Sequence, residues 1–218
     1  MALLDGWKSL WSTTAVDEKR WVVLDVETSG LDTRRDRLLA VAALAVHFDQ
    51  AAVPRLVPAD SFEVILRQDT ALPDKANILL HGIGLGAQRV GVEPRFALQA
   101  FADFAAGSPL IAFHAAFDRS MIERAMRSEL GQVLRNPWLD LQPLAAAARP
   151  ELAARSLDEW MQQLGVNCEQ RHQAAADTQA TAELLLKLWP AVRVQMRGSG
   201  FAAVARLARS GRWLQLQC

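Results

Sequence analysis

Four acidic residues and one histidine are placed where chemistry rather than solvation would explain them. Asp25 and Glu27 lie two apart in Val22-Val23-Leu24-Asp25-Val26-Glu27-Thr28-Ser29-Gly30. On a strand that spacing sends both carboxylates to one face, away from Val22, Leu24 and Val26. Two like charges a few ångströms apart in an apolar setting raise one another's pKa, and a bound dication removes that penalty. Solvated acids at a strand end are the alternative. Asp118 follows the apolar run Ile111-Ala112-Phe113-His114-Ala115-Ala116-Phe117. There it is either a helix N-cap or a ligand at the end of a strand. Asp177 shares its helix face with Thr181, Leu184 and Leu188, the stripe that should meet the core. It is therefore an inward acid or one paired with a nearby arginine. His172 precedes it by five residues, so it falls on the loop entering that helix, where a mobile imidazole can act as general base for a water.

Oxygen donors without a cysteine, and a histidine without a second histidine, suit Mg²⁺ or Mn²⁺ better than zinc. Two such ions, roughly 3.5–4 Å apart, stabilise the attacking and leaving oxygens of phosphoryl transfer. Thr28-Ser29-Gly30 after the first acids makes a tight turn that brings a ligand close to the backbone.

The elements that must hold these groups read as strands first, then strands alternating with helices. Trp21–Val26, Leu38–Phe48 and Phe62–Leu66 are strand candidates and suggest an antiparallel meander. A helix follows over Pro94–Ala105, a strand over Leu110–His114, a helix over Arg119–Leu130 and a short strand at Trp138-Leu139. Asp140 is positioned to cap an Ala-rich helix, and Ser156 with Glu159 forms a capping box for a helix ending at Gly165. The longest helix runs from Ala174 to Trp189 and is expected to stop at Pro190. Leu3, Leu4, Trp7 and Trp11 share a helical spacing. This order predicts an α/β fold, a mixed sheet covered by helices. The expected division is an extension over 1–20, one catalytic domain over 21–190 and a basic extension over 191–218.

The chain has 218 residues, is 51% hydrophobic and 22% charged, and can bury a full core. Two cysteines, Cys168 and Cys218, make neither a disulfide framework nor a zinc pattern. With no signal-peptide pattern and no long apolar run, the expected setting is a reducing cytoplasm, with no membrane partner. The formal net charge is zero, but no acid follows Glu183, where Lys187, Arg193, Arg197, Arg206, Arg209 and Arg212 lie. Arg206, Arg209 and Arg212 either meet phosphates or a partner protein, or coat an amphipathic helix that packs Phe201, Val204 and Leu207.

The set D-x-E-T, then F-D after an apolar strand, then H-x4-D resembles the DEDDh class of 3′–5′ exonucleases over about residues 21–190. Leu80-His81-Gly82-Ile83 is similar to the H-G-I segment of members like the epsilon subunit of DNA polymerase III. The resemblance implies a ribonuclease H-like mixed sheet of five strands, three antiparallel and then parallel. It implies metal ligation of two Mg²⁺ or Mn²⁺ by Asp25, Glu27, Asp118 and Asp177, with His172 deprotonating the attacking water. Thr28, Ser29, Gly30, His81, His114 and Phe117 become substrate-binding candidates. His114 stands where the family commonly has Asn, which touches recognition of the substrate end. The implied reaction releases nucleoside 5′-monophosphates from single-stranded DNA 3′ ends, with a DNA polymerase as a candidate partner. An exoribonuclease of the same family and a non-catalytic accessory module are the alternatives.

Overall fold

A computed structural model describes residues 16–69, 75–168 and 171–215, the last four by their backbone. The helical spacing around Trp7 and Trp11, and Cys218, lie outside the described residues. Five strands form one sheet in the order β3-β2-β1-β4-β5. They are β1 (Arg20–Thr28), β2 (Leu38–Phe48), β3 (Pro54–Ile65), β4 (Leu110–Ala112) and β5 (Trp138–Asp140). The β1–β2 and β2–β3 pairings are antiparallel, and β1–β4 and β4–β5 are parallel. The meander followed by parallel strands is the expected α/β arrangement.

Alternation along β1 divides the core. Val22, Leu24 and Val26 face a cluster with α3 (Pro94–Ala105) and α4 (Ala115–Leu130), where Phe101, Met121 and Met126 are fully buried. Trp21 and Val23 face the opposite cluster, which includes Leu184, Leu188 and Val192. Asp25 and Glu27 continue that second face toward the end of β1. The strand is thus apolar at its start and acidic at its finish on one and the same side.

Between β3 and α3 lie α1 (Lys75–His81) and α2 (Leu85–Val90). After β5 come α5 (Leu141–Ala148), α6 (Leu157–Leu164), α7 (Ala174–Gln195) and α8 (Gly200–Gln215). The Ser156–Glu159 capping box opens α6 as expected. Pro190 does not end α7: the helix continues five residues past it. Proline removes one backbone hydrogen bond, yet tertiary contacts hold the helix on either side. Trp189 donates from Nε1 to the Ala52 carbonyl at 2.8 Å, and Val192 is fully buried. α8 buries Phe201, Val204 and Ala208 against the same core. This is the amphipathic packing of the basic segment; the Arg206 guanidinium donates to the Arg197 carbonyl at 3.0 Å. Among the described residues no helix is long and apolar enough to cross a membrane.

Candidate active site

A cleft of about 820 Å³ opens where β1 ends, and Asp25, Glu27, Asp118, His172 and Asp177 all line it. Three elements and a loop deliver them. Asp25 and Glu27 come from the acidic end of β1. Asp177 sits in the first turn of α7, which Thr178 fixes to β2 by donating to the Ala42 carbonyl at 3.2 Å. Its stripe partners Thr181, Leu184 and Leu188 are buried, as the helical spacing requires. Asp118 lies in the first turn of α4 and is 3% exposed. It is not the N-cap: α4 begins three residues earlier, and His114 takes the cap position with φ at +62°. Inside that first turn Asp118 reaches the Val26 backbone near the end of β1 instead of closing the helix end.

The electrostatics are those of an under-compensated acid cluster. Burial pushes Asp25 well above the ordinary carboxylate range, and the charges of Asp118, Asp177 and Glu27 push it further. Glu27 is raised to about 7, first by burial and then by Asp177. The backbone of Ala174 and the Arg171 guanidinium oppose that rise. Asp118 is raised to about 8 by burial, with Asp140 and Glu27 adding to it. Such a set of hard oxygen donors fits Mg²⁺ or Mn²⁺, because a dication would keep these carboxylates ionised. Among the described residues, no three His, Cys, Asp or Glu side chains stand as a ready ligand cluster in their present positions. Asp177 is turned to protein donors: its Oδ1 accepts from Arg171, and its Oδ2 accepts from the His172 backbone N–H at 3.2 Å. The arginine pairing allowed for Asp177 is therefore present, and it coexists with membership of the acid cluster.

Thr28, Ser29, Gly30, His114 and Phe117 also line the cleft. Thr28 donates from Oγ1 to the Gly30 carbonyl at 2.7 Å, leaving its oxygen lone pairs for an incoming donor. Gly30 is confined by Asp36, whose carboxylate would lie 2.5 Å from an added Cβ and is held by Ser29 at 2.9 Å. His172 is exposed on the loop before α7, with φ at +64°. His81 lies outside this cleft. It is buried, accepts from the Ile83 N–H at 2.9 Å, and faces a neighbouring pocket of about 310 Å³ that shares Ser29 and Asn77 with the main cleft. Burial lowers its pKa and keeps it neutral.

The spacing of residues did not disclose four further contributors. Leu31 and Leu80 line the cleft while 85% and 52% exposed, so their signal is exposure, which periodicity does not carry. Asn77 ties α1 to β1 by donating to the Thr28 carbonyl at 2.8 Å. Arg171 adjoins His172 in the chain, and adjacency to the histidine was the available clue.

The chain is 31% identical over 217 residues to a DNA polymerase III subunit epsilon-like protein of Rhodobacter capsulatus, covering 96% of this chain and 29% of that protein. It is 29% identical over 170 residues to a PolC-type DNA polymerase III of Clostridium perfringens, covering 77% of this chain and 11% of that protein. The chain thus spans less than a third of the length of these relatives. Escherichia coli exonuclease I in complex with a dA16 oligonucleotide superposes with a TM-score of 0.64 at 17% identity, over 81% of this chain and 43% of that one. This likeness identifies the five-stranded mixed sheet with its flanking helices as the ribonuclease H-like fold of exonuclease I. Residues 22–185 match the family described as Exonuclease (RNase_T), which takes in every carboxylate of the cleft and His172, and the chain belongs to that exonuclease family.

Proposed function

We propose that this chain is a two-metal-ion 3′–5′ exonuclease that hydrolyses the terminal phosphodiester of single-stranded DNA and releases nucleoside 5′-monophosphates. The observation that carries this reading is the convergence of Asp25, Glu27, Asp118, Asp177 and His172 on one cleft. Asp25, Glu27 and Asp177 would hold one Mg²⁺ or Mn²⁺, and Asp25 with Asp118 the second. Bound there, the pair would supply positive charge for the attacking and leaving oxygens.

The protein's own residues supply the rest. His172, exposed at the cleft, takes the proton of the attacking water. Its backbone N–H is already committed to Asp177, so the loop is anchored while the ring stays free to move. Thr28, already donating to Gly30, accepts from the terminal 3′-hydroxyl. Leu31, Leu80 and Phe117 give the cleft apolar walls, and bases gain from stacking and packing on such surfaces. His114 faces the same space where a hydrogen-bonding residue can meet the substrate end. Ser29 and Gly30 shape the turn beside it, and His81 would act from the adjoining pocket.

Single-stranded DNA is the substrate we assign because exonuclease I, with the same fold, has been seen with DNA oligonucleotides. A DNA polymerase is the partner suggested by the names of the sequence relatives. The test is digestion of end-labelled single and double strands of DNA and RNA with Mg²⁺ or Mn²⁺. Mononucleotide release from the 3′ end of single-stranded DNA is expected, and it should disappear in Asp25→Ala. Faster turnover of matched RNA would transfer the assignment to an exoribonuclease. No release with either metal, together with unchanged DNA binding by Asp25→Ala, would leave an accessory binding module.

A further inference from the structure

Arg171 joins two acids of opposite character. Its Nε donates to Asp158 Oδ1 at 2.5 Å, and Asp158 is 64% exposed on the first turn of α6. Its Nη1 donates to Asp177 Oδ1, and that carboxylate is 9% exposed inside the cleft. The guanidinium also lowers the pKa of Asp25 and of Glu27, so its charge acts on three of the four clustered acids. With the His172 N–H on Oδ2, both oxygens of Asp177 are occupied by protein donors.

A dication and this guanidinium cannot both use Asp177 Oδ1 at full strength. They compete for the same lone pairs, and their charges repel at contact distance. Arg171 has a second partner to keep, because its Nε–Asp158 contact does not depend on Asp177. Rotation of the guanidinium about that outer contact would free Asp177.

Resting on the two-metal reading above, we propose that Arg171 is a built-in counter-ion of the acid cluster. It yields Asp177 to an incoming divalent cation while tethered to Asp158. Arg171 is thus a positioning residue for metal binding, and Asp158 sets how readily it withdraws. Metal affinity is attenuated by the displacement, and the negative charge of the metal-free cluster is partly compensated.

The test is direct Mn²⁺ binding to the whole chain, by calorimetry or by the paramagnetic resonance signal of free Mn²⁺. Arg171→Gln should bind Mn²⁺ on the order of tenfold more tightly than the parent, since a competing charge has gone. Asp158→Asn should bind severalfold more weakly, because Arg171 then settles on Asp177. The double variant should match Arg171→Gln, since Asp158 has no arginine left to hold. In chelator, Arg171→Gln should melt at a lower temperature than the parent, and Mn²⁺ should raise its melting temperature by more. Unchanged or weaker Mn²⁺ binding in folded Arg171→Gln would overturn the proposal alone, as would an effect of Asp158→Asn in the arginine-free background. Asp158 is exposed, so its variant remains informative even if Arg171→Gln folds poorly. Absence of Mn²⁺ binding by the parent would overturn the two-metal reading and this proposal together.

Discussion

Asp118 is costly to the fold, and the proposed metal chemistry asks for it. Burial raises it to about 8, and Asp140 and Glu27 add to the strain. Asp118→Asn keeps the shape and removes the charge. The metal-free protein should therefore gain roughly 1–2 kcal/mol at pH 8, by relief of an ionised group held above its ordinary pKa. Activity with Mn²⁺ should fall by roughly 10²–10³-fold, the scale of losing one preorganised electrostatic group. Chelator melts and mononucleotide release read the two effects separately; a less stable variant would contradict the repulsion. His172 makes the complementary case. Its backbone, not its ring, bonds Asp177. His172→Ala should lower kcat by about 10²–10⁴-fold, the usual contribution of a general base, while Mn²⁺ affinity stays within a factor of two. A large loss of Mn²⁺ affinity would make the ring a ligand.

At the scale of elements, the ends of the strands explain more than their middles. Opposite the cleft, Arg20 at the start of β1 makes a two-point bond to Asp60 on β3, both contacts at 2.8 Å. His47 of β2 meets the same carboxylate at 2.7 Å, and Arg20 lies over the Phe104 ring at 4.7 Å. Hydrogen bonding from Arg20 lowers Asp60 to about 2. A depressed acid contributes stability above its unfolded pKa, about 4, and loses it as pH falls toward 2. Asp60→Asn should therefore cost roughly 1–2 kcal/mol at pH 7, solvent screening at this partly open site trimming the full value. The difference from the parent should vanish near pH 2, which denaturant titration across pH would show. The packing of α8 gives a second handle. A Cβ on Gly211 would overlap the Pro143 carbonyl of α5, so the helices meet backbone to backbone. Gly211→Ala should cost about 1–3 kcal/mol by overpacking, with little change in activity per folded molecule, because α8 does not line the cleft. Unchanged melting would mean that the helix does not dock this way. Most element bounds were legible because hydrophobic period and caps agreed, as at Ser156 and Gly165. α7 ran past Pro190 because buried Trp189 and Val192 outweigh one lost hydrogen bond. α1 escaped notice because Leu79 and Leu80 are exposed and carry no core-facing period.

For the molecule as a whole, the cleft was legible to the extent that its chemistry follows parity and helical phase. Asp25 and Glu27 had to share a face, and Asp177 had to share one with Leu184 and Leu188. Arg171 was not legible in the same way: it sits on a loop, where spacing fixes no direction, and its role arises from a contact with α6. The same distribution of charge makes the stability of the metal-free protein depend on pH. Asp25, Glu27 and Asp118 all stand above their ordinary values, so between about pH 4 and pH 8 the folded protein holds more protons than the unfolded chain. Stability then falls as pH rises through that window, and the loss is complete above the folded pKa values. At roughly 1.4 kcal/mol for each tenfold change in proton affinity, interacting acids of this kind destabilise the metal-free protein by a few kcal/mol at pH 8. A dication that binds the folded cluster reverses this by mass action and by holding the carboxylates ionised. Melting temperature in chelator should thus decline from pH 5 to pH 8.5, and saturating Mg²⁺ or Mn²⁺ should flatten the decline. The rescue should be greatest at the alkaline end, where Glu27 and Asp118, raised to about 7 and about 8, have lost most of their protons. A melting temperature in chelator that rises across this range would mean that the carboxylates are already compensated by the protein, and the need for paired dications would fall with it.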